Sequence, residues 1–197
     1  MENGPMGCEH GKDGVTNDLV NGLSLNPKRL NDLLNHTWSR LQLRASQMLH
    51  GFPQVVRDVE TGDVLNAAML KLSHSIQNKP LKCGCHFHNR SAKLMRQELI
   101  DLARRKKRRN ERPARDFSSS LMNSVVDNHT DPLTLEDWEL LHVGAGKLRR
   151  DLRRVFDLMY YQGLRSDEVA AILGVSDRTV ERKYLSAQDM IPLLASR

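Results

Sequence analysis

The sequence predicts an all-α protein of two small helical domains joined by a flexible linker. Three observations carry this. Apolar residues recur every three or four positions in several stretches of the 197-residue chain, the spacing of helices that bury one face. No stretch alternates apolar and polar residues for long enough to read as a strand. Between the periodic stretches, residues 110–134 lose the period and carry Pro113, Ser118-Ser119-Ser120 and Asp131-Pro132, a linker composition. The expected organisation is a disordered tail over 1–25, a helical domain over 26–109, the linker, and a second helical domain over 135–197.

The tail holds five of the twelve glycines and little apolar periodicity. Asn26-Pro27 then offers an N-cap and a proline at the first helical position. Leu30, Leu33/Leu34, Trp38, Leu41, Ala45 and Met48/Leu49 follow at helical spacing until Gly51 and Pro53. A second helix opens near Thr61-Gly62-Asp63, with its stripe on Leu65, Ala68/Met69, Leu72 and Ile76. Asn78 to Cys85, with Pro80 and Gly84, reads as a loop. In the third helix Ala92, Met95, Leu99 and Leu102/Ala103 share one face, while Arg90, Lys93, Gln97, Asp101, Arg104/Arg105 and Arg108 share the other. Beyond the linker, Trp138, Leu141 and Ala145 form one stripe, and Leu148, Leu152, Val155/Phe156 and Met159 the next.

Charge is concentrated. The chain carries +6 overall, yet residues 82–115 hold twelve cations against three acids, a net +9, so the other 163 residues sum to −3. Six of the cations are consecutive, Arg104 to Arg109. A polyanion is the partner such a segment suits, the alternative being a solvated helix end. No apolar run approaches the roughly 18–20 residues of a membrane span. The N-terminus lacks the basic start and apolar core of a secretory signal. Three cysteines do not make a secreted disulfide scaffold. The expected location is the cytoplasm.

The sharpest local signal runs from Ser166 to Tyr184. Ser166 can cap a helix whose first turn carries Asp167 and Glu168, the sign the helix dipole favours. Val169, Ala170 and Leu173 face inward, Gly174 permits a left-handed turn, and Val175 is expected to plug the corner. A second helix from Ser176 buries Val180, Tyr184 and Ala187. This is a helix-turn-helix. Arg178, Thr179, Glu181, Arg182 and Lys183 fall on the exposed N-terminal half of its second helix, where side chains reach base edges and phosphates in a major groove.

Val155-Phe-Asp-Leu-Met-Tyr-Tyr-Gln-Gly-Leu164, with Val169-Ala-Ala-Ile-Leu-Gly-Val-Ser176 and Thr179-Val-Glu-Arg182, resembles the C-terminal helix-turn-helix of bacterial extracytoplasmic-function (ECF) sigma factors. The basic helix, with Leu99-Ile-Asp-Leu-Ala-Arg-Arg105, resembles the helix with which that family's N-terminal domain opens the downstream promoter element. Asp63-Val-Leu-Asn-Ala-Ala-Met-Leu-Lys-Leu72 sits where the family has its polymerase-binding helix. The Thr-Val-Glu-Arg form is also similar to a large sigma-like subgroup common in planctomycetes.

The resemblance covers roughly residues 29–109 and 135–190 and implies a region 2-like bundle followed by a region 4-like domain. It implies a non-enzymatic initiation subunit with no cofactor, whose partners are core RNA polymerase, promoter DNA and an anti-sigma factor. Asp63 and Asn66 would meet polymerase. Arg90, Lys93, Arg96, Gln97, Arg104, Arg105 and Arg108 would meet the downstream element. The recognition-helix residues would meet the upstream one. The chain departs from the family at Ala67, usually acidic, and at Met69, usually aromatic. Phe87 is the aromatic nearest the melting helix.

Two other functions are compatible with parts of the sequence. A regulator that keeps the helix-turn-helix without binding polymerase is permitted by Ala67. A metal-dependent nuclease would need Cys83, Cys85, His86 and His88, with Cys8 or His10, to hold the metal. Their one-residue gap suits a tetrahedron poorly, and paired carboxylates are missing nearby.

Overall fold

The computed structural model of the chain describes residues 14–23, 29–50, 61–110 and 135–195. Among them are eight α-helices, one π-helical turn and no strand. The N-terminal half contains α1 (Gly14–Leu23), α2 (Arg29–His50), α3 (Thr61–Asn78) and α4 (Gly84–Asn110). The C-terminal half contains α5 (Leu135–Lys147), α6 (Arg150–Phe156), the π turn (Asp157–Tyr161), α7 (Ser166–Leu173) and α8 (Asp177–Ala195).

The expected stripes become the core. Leu65, Ala68, Met69, Leu72 and Ile76 of α3 are buried, as are Ala92, Met95, Leu99, Leu102 and Ala103 of α4. α3 packs between α2 and α4, and α4 also meets α1, α5 and the π turn. One apolar cluster runs from Val20 and Leu33 through Phe87 and Met95 to Trp138, Tyr161 and Ile191, so the two halves share a core. A second cluster, around Leu158, Leu164, Val169, Ala170 and Val180, belongs to the helix-turn-helix.

Two local expectations change. Residues 14–23 of the expected tail form α1, because Val20 and Thr16 find burial against α2 and α4 that local sequence does not display. The remaining tail residues, the Asn26-Pro27 start, the Gly51/Pro53 stop and linker residues 111–134 lie outside the described residues. The single stripe expected through Met159 is broken by the π turn. Its extra residue rotates the helix, so Leu158 and Tyr161 are buried and Met159 only half so. The chain leaves this turn through Gly163, whose φ of 62° lies in the left-handed region.

Candidate nucleic-acid interface

The helix-turn-helix is built on backbone caps. At the start of α7, Glu168 reaches back and accepts from the Arg165 N–H at 2.8 Å. Arg165, not Ser166, therefore holds the N-cap position, with extended backbone. At its end Gly174 is left-handed (φ 65°, ψ 36°), and the Ala170 carbonyl accepts from both the Gly174 and Val175 N–H groups. Val175 itself is exposed, so it does not plug the corner. Ser176 precedes α8, and its hydroxyl accepts from the Thr179 N–H at 3.3 Å.

From that start, Val180 and Ala187 are fully buried, and Tyr184 stacks on Phe156 with ring centroids 5.8 Å apart. The opposite side carries Arg178, Glu181 and Arg182, all exposed. Thr179 is half-buried against the Ser176 hydroxyl at 2.9 Å. Lys183 lies 3.7 Å from Asp151 of α6. Apolar contacts thus fix the phase of α8, and two guanidinium groups one turn apart project from it.

On α4 the seven candidate residues divide. Lys93, Gln97, Arg105 and Arg108 are exposed. Arg90 donates to the Ser75 and Lys79 carbonyls at 3.0 and 2.6 Å, closing the C-terminal end of α3. Arg104 is exposed as well, and donates to Glu139 of α5 at 2.8 Å. Arg96 is buried against Asp157 of the π turn and does not share the exposed face. Phe87 is wholly buried in the core and offers no ring for stacking on a base. On α3 the exposed side carries Asn66 and Leu70, while Met69 faces the core. Asp63 lies in the first turn of α3; its side chain lies outside the described residues.

Several polar residues that sequence reasoning passed over form a seam between the halves. His142 of α5 is buried, its Nδ1 2.7 Å from the Tyr161 hydroxyl. Burial, with Arg96 nearby, drives its pKa down to about 3, so the ring is neutral at ordinary pH. Burial likewise pushes the Asp157 carboxyl up to about 6, although Arg96 and Arg153 pull it back. Arg44 of α2 donates to the Tyr160 carbonyl and lies over its ring, 5.0 Å from the centroid. His88 and Gln162 meet at 3.4 Å. One signal was legible: Asp157 is a carboxylate inside the apolar run Val155–Tyr161.

The cysteine–histidine segment divides too. Cys83 and His88 are buried, Cys85 and His86 half-buried, and burial with Lys82 and Arg90 lowers the His86 pKa. Among the described residues no three His, Cys, Asp or Glu side chains come together as a metal site. Cys8 and His10 lie outside them. Nor is any described helix long and apolar enough to cross a membrane.

The fold and site define a class: an all-helical chain with a cationic helix in one half and a helix-turn-helix in the other. The family model described as ECF sigma factor matches residues 17–191, which takes in both elements, and the chain belongs to that family. No curated protein matches it.

Proposed function

We propose that this chain is a sigma subunit that binds core RNA polymerase and directs it to promoters by gripping two DNA elements. The observation that carries the reading is the extent of the family match, which spans α3, α4 and the helix-turn-helix in one chain. In this reading Arg178, Thr179, Glu181, Arg182 and Lys183 address the upstream element. Lys93, Gln97, Arg105 and Arg108 follow phosphates and the displaced strand downstream, joined by Arg104, Arg90 and Arg96 where their protein partners release them. The exposed side of α3, which carries Asn66, meets polymerase, together with Asp63 of its first turn. The chain supplies no catalytic group and works in the cytoplasm beside its polymerase.

The test is co-elution with bacterial core polymerase, followed by transcription from a promoter template. Asp63→Arg should weaken retention on core and leave binding of a DNA duplex unchanged. DNA binding without any retention of the parent chain on core would instead establish a regulator that has lost polymerase.

A further inference from the structure

Two thiols stand one residue apart at the start of α4. Cys83 is buried just before the helix. Cys85, half-buried in its first turn, packs against the apolar cluster of the helix-turn-helix. The Cys83 carbonyl accepts from the His86 and Phe87 N–H groups at 3.1 and 3.4 Å, which closes that turn. The surroundings are electropositive: burial lowers the His86 pKa, and Lys82, Arg90, Arg154 and Lys79 lower it further.

We propose that Cys83 and Cys85 are a reversible oxidation site for peroxide, closing to a disulfide that opens the first turn of α4 and draws Cys85 off the helix-turn-helix cluster. Cations beside a thiol favour its thiolate, the form that attacks peroxide. Cys85 is the more accessible of the two. Its sulfur takes one oxygen as the O–O bond of hydrogen peroxide breaks, giving a sulfenic acid and releasing water. The Cys83 thiol then attacks that sulfur. The S–S bond forms, the S–O bond breaks and a second water leaves. The two thiols together lose two electrons and two protons, and the peroxide is reduced to water. A dithiol returns the electrons by thiol–disulfide exchange.

The geometry couples this bond to the fold. At helical spacing, Cα atoms two residues apart lie about 5.4 Å from each other, inside the range that a disulfide spans. Side chains at that spacing point to nearly opposite sides of a helix, yet the Cβ atoms of a disulfide approach to about 3.8 Å. Closure therefore unwinds the turn and gives up the two hydrogen bonds to the Cys83 carbonyl. Gly84 has no side chain to obstruct the small ring. Phe87, wholly buried, anchors the helix beyond it, so the change stays within the first turn.

The experiment uses the full chain with Cys8→Ser, so that the pair holds its only thiols. Trypsin, cutting after Lys82 and Arg90, releases both on one peptide, Cys83–Arg90. After hydrogen peroxide that peptide should be lighter by two hydrogen atoms, and a dithiol should restore it. Hydrogen exchange in the oxidised chain should quicken at His86, Phe87 and Val169 to Ile172. With Cys83→Ser the peptide should instead gain oxygen, because the sulfenic acid on Cys85 has no thiol to meet. Lys82→Glu should slow the oxidation several-fold, the pair then lying on the longer peptide Leu72–Arg90. A two-thiol peptide that peroxide leaves unchanged, or that gains oxygen rather than losing hydrogen, overturns the proposal. So does a disulfide formed with exchange at His86 and Phe87 as slow as before, or a Lys82→Glu chain oxidised as fast as its parent.

Discussion

Gly144 and Gly146 lie two residues apart in α5, and together they isolate the cost of one helix crossing. A Cβ on Gly144 would sit 2.6 Å from the Ile191 carbonyl oxygen of α8 and 3.1 Å from its side chain. The nearer atom is backbone, so α8 has to move. A Cβ on Gly146 would meet only the Arg96 Nε, at an ordinary 3.8 Å. Both alanines gain about 1 kcal/mol of helix propensity over glycine. Gly144→Ala also takes on the overpacking cost, about 1–3 kcal/mol.

Gly146→Ala should therefore stabilise by up to about 1 kcal/mol, and Gly144→Ala should destabilise by about 0–2 kcal/mol. The gap between them is the crossing itself, about 1–3 kcal/mol. In urea, with a slope of about 2 kcal/mol per M, that separates the two midpoints by roughly 0.5–1.5 M. Equal midpoints would show that α5 and α8 can part without cost. The close crossing at Ile191 would then contribute nothing to holding α8.

The remaining predictions concern the recognition helix and the buried carboxylate. Arg182→Ala should weaken binding to the cognate upstream element by about 1–3 kcal/mol more than to scrambled DNA, with thermal stability unchanged. Val180→Asp should abolish the folded C-terminal half by circular dichroism, because an unpaired carboxylate replaces a fully buried side chain. Equal losses on both DNAs for Arg182→Ala would make Arg182 a phosphate clamp.

Asp157 has a folded pKa near 6 against an ordinary 3.8, so the folded state keeps a proton that the unfolded chain releases between about pH 4 and 6. Its contribution is fully present below about pH 4 and lost as pH rises through 6, on the order of 3 kcal/mol in all. Arg96, Arg153 and Tyr161 face it, with His142 on the far side of the Tyr161 hydroxyl, and burial keeps His142 neutral and Tyr161 protonated across that window. The stability of the parent relative to Asp157→Asn, from urea midpoints, should fall from pH 4.5 to 7. A flat difference would refute the burial argument.

What the sequence determined by itself is periodic and local. The stripes of α3 and α4, the Gly174 turn and the buried Val180 follow from side-chain spacing and backbone preference, which neighbouring residues set. So does the cationic run, since charge density along one segment needs no fold to be counted. The tertiary structure decided what depends on residues distant in the chain. Phe87 was available in the sequence for recognition, and packing spends it on the core. Arg96 lies among the basic helix's cations, but its surroundings are set by Asp157, 61 residues away. No local rule predicts that the π turn aims that carboxylate across the seam, because its burial depends on α4 lying opposite. Gly144 is likewise an ordinary helical glycine until Ile191 comes within reach of it. Spacing specifies which face of a helix is apolar; only the packed chain specifies which polar groups that face must enclose.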